Sequence, residues 1–194
     1  MVLERDSASP MESSVPANVH PILECLLFVA AEPVTPRQVS DVLSVEESQA
    51  AALLEDFRHS YVNGGGLQVV RVAGGYQLRT RPEFAPVVSA FLRPPAQKIS
   101  RQALETVAII AYEQPITQPE IDALRGVKSD GVIKTLLERE LIREAGRKDA
   151  PGRPILYRTT DEFLRHFGLA DLTELPKLEE SLGAAKPDKQ DLSI

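Results

Sequence analysis

The sequence predicts a mainly α-helical protein (α+β) with small β-wings, a tandem of winged helix-turn-helix domains, and three observations carry that prediction. Residues 100–160 run through three helical patterns and then two short strand patterns around a basic loop. The same order of landmarks occurs about 80 residues earlier. The chain has 194 residues, long for one small domain, whereas a winged helix needs only about 70.

Taken in order, residues 1–19 are rich in serine and proline without periodicity and are expected to form a disordered arm. Pro21 to Ala31 places apolar residues at 22, 23, 26, 27, 29 and 30, a helix with a broad buried face on which Cys25 fills core space. Thr35-Pro36-Arg37-Gln38 supplies a threonine cap, a proline at the first helical position and a glutamine to complete a capping box. A short second helix follows with Val39, Val42 and Leu43, then a third with Ala50, Leu53, Leu54, Phe57 and Tyr61. Leu67–Val72 and Tyr76–Thr80 flank Ala73-Gly74-Gly75, a turn suited to a hairpin. Arg81 to Leu92 reads as a closing helix, which completes a first domain over 20–93, and the prolines in 94–97 make that stretch a stiff linker.

The second domain, 98–170, repeats the plan. Ala103, Leu104, Val107, Ala108, Ile110 and Ala111 line a first helix, and Thr117 with Glu120 forms a second capping box. Ile121 and Leu124 point inward from the helix so started, and Gly126 permits its left-handed exit. Ser129 caps a third helix striped by Val132, Ile133, Leu136 and Leu137. Leu141–Ala145 and Ile155–Thr159 are strands around the basic loop Gly146–Pro154, and Asp161–Phe167 is a last helix stopped by Gly168. Residues 171–194 are a tail, largely disordered. Glu24 and Glu105 match at an offset of 81 residues, Thr35 and Thr117 at 82, and Thr80 and Thr159 at 79.

Composition excludes several functions. One cysteine rules out internal disulfides and cysteine-based zinc sites. The longest apolar run, Leu26–Ala31, is far shorter than the roughly 20 residues that span a bilayer. The expected compartment is the cytoplasm. His20, His59 and His166 lie in three segments as solvated or capping side chains, and Gly64-Gly65-Gly66 lacks the lysine and hydroxyl of a phosphate-cradling loop. No catalytic set, metal or cofactor is expected, so the chain is read as a non-enzyme.

Charge bears on DNA. Residues 20–93 hold six basic against eight acidic side chains, and 98–170 hold twelve against eleven. The third helix of the second domain offers Asp130, Gly131, Lys134, Thr135, Glu138 and Arg139, two acids offsetting two bases, whereas duplex binding draws most of its affinity from neutralised phosphates. Arg147, Lys148 and Arg153 in the wing give at most weak, nonspecific DNA contact; the same loop is equally a solvated one with its arginines on backbone carbonyls. A winged helix without such a field keeps a groove and ribbon edges that suit proteins. The alternative function is a winged-helix DNA-binding transcriptional regulator.

Four stretches, Ala108–Thr117, Arg125–Asp130, Gly146–Tyr157 and Phe163–Leu169, resemble the bacterial segregation and condensation protein B family, densely over 94–176 and loosely before. The family usually has a basic residue where this chain has Gln118. The resemblance implies a homodimer formed chiefly by the first domain, near Glu24, Leu27 and Phe28. It implies binding of the central region of the kleisin ScpA by the second, around Leu124, Val132, Leu136, Arg147, Arg153 and Tyr157. Through ScpA the chain would join the ATPase of a condensin-like structural maintenance of chromosomes (SMC) complex, associated with the nucleoid, in chromosome condensation, segregation and partition during the cell cycle and cell division.

Overall fold

A computed structural model describes residues 16, 18–61, 65–92 and 99–176. The chain divides into two compact units, Met1–Pro95 and Ala96–Ile194. In the first, α1 (Val19–Val29), α2 (Pro36–Leu43) and α3 (Glu47–Ser60) precede the strands β1 (Leu67–Val72) and β2 (Gly75–Thr80), a single turn at Pro82–Phe84 and α4 (Ala85–Leu92). Helix α1 thus begins at Val19, inside the expected arm, while residues 1–15 and the expected linker 94–97 lie outside the described residues.

The capping box predicted at Thr35 forms: the Thr35 amide donates to Gln38 Oε1 at 2.8 Å and the Gln38 amide donates to Thr35 Oγ1 at 3.3 Å. Leu23, Leu27, Val39, Ala50, Leu54, Phe57 and Tyr76 build an apolar core of mostly aliphatic side chains. Strands β1 and β2 pair antiparallel through a two-residue turn, Ala73 and Gly74, both at positive φ (47° and 72°), as a hairpin turn of this hand requires. Val34 and Tyr76 exchange two amide bonds of 2.8 Å, which adds Val34, two residues before α2, to the ribbon. That contact explains Gly75. A Cβ there would stand 2.9 Å from the Val34 carbonyl oxygen and 3.0 Å from Pro33.

Glu55 braces this unit. Its carboxylate accepts from Arg58 and, at 2.9 Å, from the Tyr76 hydroxyl, and the Arg58 bond leads the effects that hold its pKa down to about 2 from an ordinary 4.5. A depressed carboxylate stabilises the fold above its unfolded pKa and loses that contribution as pH falls from about 4.5 to 2. The group is 39% exposed, so screening keeps the effect within about 1 kcal/mol. Glu55→Gln should therefore cost stability at pH 6 and nothing near pH 2, measured by urea unfolding; a gap between the two proteins that stays constant with pH would refute this.

In the second unit α5 (Arg101–Glu113), the two-residue strand β3 (Ile116–Thr117), α6 (Gln118–Arg125) and α7 (Asp130–Glu138) lead to β4 (Ile142–Arg147), β5 (Ile155–Thr159), α8 (Asp161–Phe167) and a turn at Leu172–Glu174. The sheet order is β3-β5-β4, all antiparallel, with Ile116 opposite Tyr157. This repeats the Val34 and Tyr76 bridge of the first unit, a third strand absent from the sequence-based prediction because two residues carry no period. Ala103, Val107, Ile110, Ile121, Ile133, Leu136, Leu141, Ile142 and Phe163 form the core. Gly126 and Gly168 end their helices at φ 70°, as predicted.

Several expected core positions are corrected. Cys25 is exposed. Val29, Val42, Leu124 and Leu104 are 76%, 60%, 61% and 41% exposed, because their helices bury a narrower stripe than the apolar pattern offers. Ser129 does not cap α7 with its side chain; its hydroxyl and amide are given to the Asp122 carboxylate on α6. The tail is ordered through Pro176, with the Ala170 amide bonded to Glu174 at 2.7 Å, and 177–194 lie outside the described residues.

Candidate partner-binding surfaces

The wing of the second unit is folded back on α6. Lys148 of the loop pairs with Glu120, whose other carboxylate oxygen accepts the Thr117 amide at 2.9 Å. The lysine bond leads, with Thr117 second, in lowering the Glu120 pKa to about 2. Arg147 Nη1 donates to the Arg153 carbonyl at 3.0 Å, so one of the two wing arginines reads as the solvated-loop alternative had it. Both Arg147 and Arg153 remain exposed.

Beside α6 a shallow groove of about 370 Å³ is walled by Glu113, Pro115, Ile116, Glu120, Ala123 and Leu124. Leu124, 61% exposed, presents an apolar side chain to it, and Val132 is half-buried against the core. Leu136 and Tyr157 are 0% and 6% exposed, so neither presents a side chain to a partner; both hold the helix and strand that carry the surface. Burial leads in pushing the Tyr157 hydroxyl above its usual pKa, with Glu144 adding to it.

A second face of this unit escaped sequence reasoning. Leu104, Ala108, Tyr112, Phe167 and Pro176 bound an apolar cleft of about 340 Å³ between α5 and the chain beyond α8. Its signal was the adjacent apolar pairs of the α5 pattern, Ala103-Leu104, Val107-Ala108 and Ile110-Ala111, since neighbours about 100° apart widen the stripe beyond one core-facing row.

In the first unit Glu24 is exposed and accepts the Tyr61 hydroxyl at 2.9 Å, and Phe28 is 75% exposed. Leu27 is 3% exposed and belongs to the core, so it is withdrawn as a direct dimer contact. Helix α4 carries the larger apolar surface. Val87, Phe91 and Leu92 are 70%, 85% and 65% exposed, and the helix buries no side chain.

Little supports duplex readout. On α7 Lys134 pairs with Glu138 at 3.9 Å, and Asp130 at its start accepts from Gln118 at 2.5 Å. The histidines are dispersed: His20 meets Asp56 at 3.0 Å, His59 meets Glu55 at 3.1 Å, and His166 stacks edge-on against Phe167. Among the described residues no group of three or more metal-ligating side chains gathers, and no helix is long and apolar enough to cross a membrane.

Residues 21–178 match the family model described as segregation and condensation complex subunit ScpB. The chain is 52% identical over 164 residues to the segregation and condensation protein B of Moorella thermoacetica, covering 84% of each. It is 52% identical over 159 residues to that of Symbiobacterium thermophilum, covering 81% of this chain and 73% of the relative. Among solved structures it is similar to ScpB from Mycobacterium tuberculosis, at 36% identity over 78% of this chain and 95% of that one, TM-score 0.37. It is also similar to a ScpB N-terminal domain solved as a dimer complexed with a ScpA peptide, at 31% identity over 38% of this chain and 93% of that one, TM-score 0.35.

Proposed function

The chain belongs to the segregation and condensation protein B family, and on that premise we propose that it is a non-catalytic adaptor of a condensin-like complex. It works as a homodimer that holds the central region of the ScpA kleisin. Through ScpA it engages the head domains of an SMC ATPase on the chromosome, which supplies the energy. The first unit dimerises; the second takes the kleisin on the groove beside α6 and on the outside of its wing.

The observation that carries this reading is the placement of apolar surface. The exposed large hydrophobic side chains gather on α1 and α4 of the first unit and on α5, α6 and α8 of the second, whereas exposed cations are interleaved with acids. Surfaces of that kind mark sites for protein partners. The regulator alternative lacks an equivalent observation, since α7 pairs its lysine with its own glutamate.

Light scattering tests the adaptor. Alone, the chain should run at twice its 21.3 kDa mass. With purified ScpA it should form a heavier species that retains both copies. A chain that stays monomeric at micromolar concentration, or that leaves ScpA in its own peak, would overturn the proposal.

A further inference from the structure

The register of the second ribbon sets Arg143 on β4 directly opposite Arg158 on β5. Both side chains are exposed. Residues so paired share one face with Cβ atoms about 4.5–5.5 Å apart, and like charges at that spacing repel. Neither guanidinium has an acidic partner among the described residues. Glu144, the next residue, sits opposite Tyr157 and so belongs to the other face. The neighbouring wing cations are already engaged, Arg147 by the Arg153 carbonyl and Lys148 by Glu120.

The first unit lacks this arrangement. The corresponding pair there is Gln68 opposite Arg79, and Arg79 Nε donates to Gln77 Oε1 at 2.9 Å. The doubled cation is thus a property of the second ribbon, not of the module.

We propose that the Arg143 and Arg158 pair is a docking site for an acidic segment of ScpA, a carboxylate seated between the two guanidinium forks. The inference rests on the adaptor reading and deepens it by naming the chemistry of the partner. One anion between the forks turns the cross-strand repulsion into two charge-assisted interactions, and guanidinium matches carboxylate geometry in a bidentate way. Duplex phosphate fits less well: the site offers two cations, enough for one carboxylate, where backbone binding takes a row of them.

The test is charge reversal in the full-length chain, with purified ScpA as the probe. R143E or R158E replaces a repulsive cross-strand pair with an attractive one, so the melting temperature should hold or rise. The Kd for ScpA should nevertheless increase on the order of tenfold, and the salt sensitivity of binding should shrink. The double neutral variant R143Q/R158Q should lose less affinity than either reversal. Wild-type affinity in all three variants, with the wild-type chain binding ScpA, overturns this proposal alone. No binding by the wild-type chain overturns the adaptor reading and the proposal together. A short duplex bound by the wild type and lost in R158E, with ScpA binding unchanged, assigns the pair to phosphates and also overturns it.

Discussion

Leu136→Ala should destabilise the second unit by about 2–5 kcal/mol, the range for truncating a large aliphatic side chain inside a close-packed core. The side chain is fully buried and packs in a cluster with Ile110, Ile121, Ile133 and Leu141. With few aromatic side chains in the chain, aliphatic neighbours must close the gap, and their rotamers let them do so only in part. In a domain of 60–100 residues each kcal/mol is worth roughly 4–8 °C, so the melting temperature of this unit should fall by at least roughly 10 °C. Leu124→Ala, one helix away and 61% exposed, should stay within about 0.5 kcal/mol of wild type and weaken ScpA binding instead. Calorimetry and ScpA binding on both variants separate the roles. A Leu136→Ala chain that melts like wild type but no longer binds ScpA would return Leu136 to the contact surface that the family resemblance implied.

Those two leucines show what periodicity resolves. Helix existence, the capping boxes at Thr35 and Thr117, the hairpin turn at Ala73-Gly74 and the glycine stops at 126 and 168 were legible because each rests on local backbone chemistry. The side of a short helix that faces the core was less so. On an eight-residue helix such as α6 one buried residue, Ile121, suffices, and a second leucine three residues on falls outside the stripe. The third strand of each ribbon was invisible for a different reason. Val34 and Ile116 are recruited by Tyr76 and Tyr157, far along the chain, and a bridge of one or two residues leaves no pattern to read.

The candidate surfaces divide in the same way. Glu24, Phe28, Leu124, Arg147 and Arg153 are exposed, whereas Leu27, Leu136 and Tyr157 were drawn in by the core. The arginine pair was missed because opposition across a ribbon depends on register. A bulge between Glu144 and Arg147 shifts the register within the wing, so counting outward from the loop would not have placed 143 against 158.

Phe91→Asp should convert the homodimer to a monomer while leaving the first unit as stable as before. Truncating an aromatic anchor at the centre of an interface typically costs 2 kcal/mol or more, about a thirtyfold rise in Kd, and an acid adds desolvation to that loss. In an isologous dimer a substitution on the twofold interface is present twice, so its cost is counted once per subunit. The unit itself should not suffer. Phe91 is 85% exposed, and α4 contributes nothing to the cluster around Leu23 and Leu54. Phe28→Asp on α1, 75% exposed, is the companion variant, since that helix was the dimer candidate read from the sequence. Light scattering with thermal melts on both distinguishes three cases. Monomers from Phe91→Asp alone place the interface on α4, and monomers from both place it on the two helices together. Dimers that persist in Phe91→Asp but dissociate in Phe28→Asp refute the assignment to α4, because a dimer interface that buries α4 cannot absorb an aspartate where the most exposed aromatic of the unit stood.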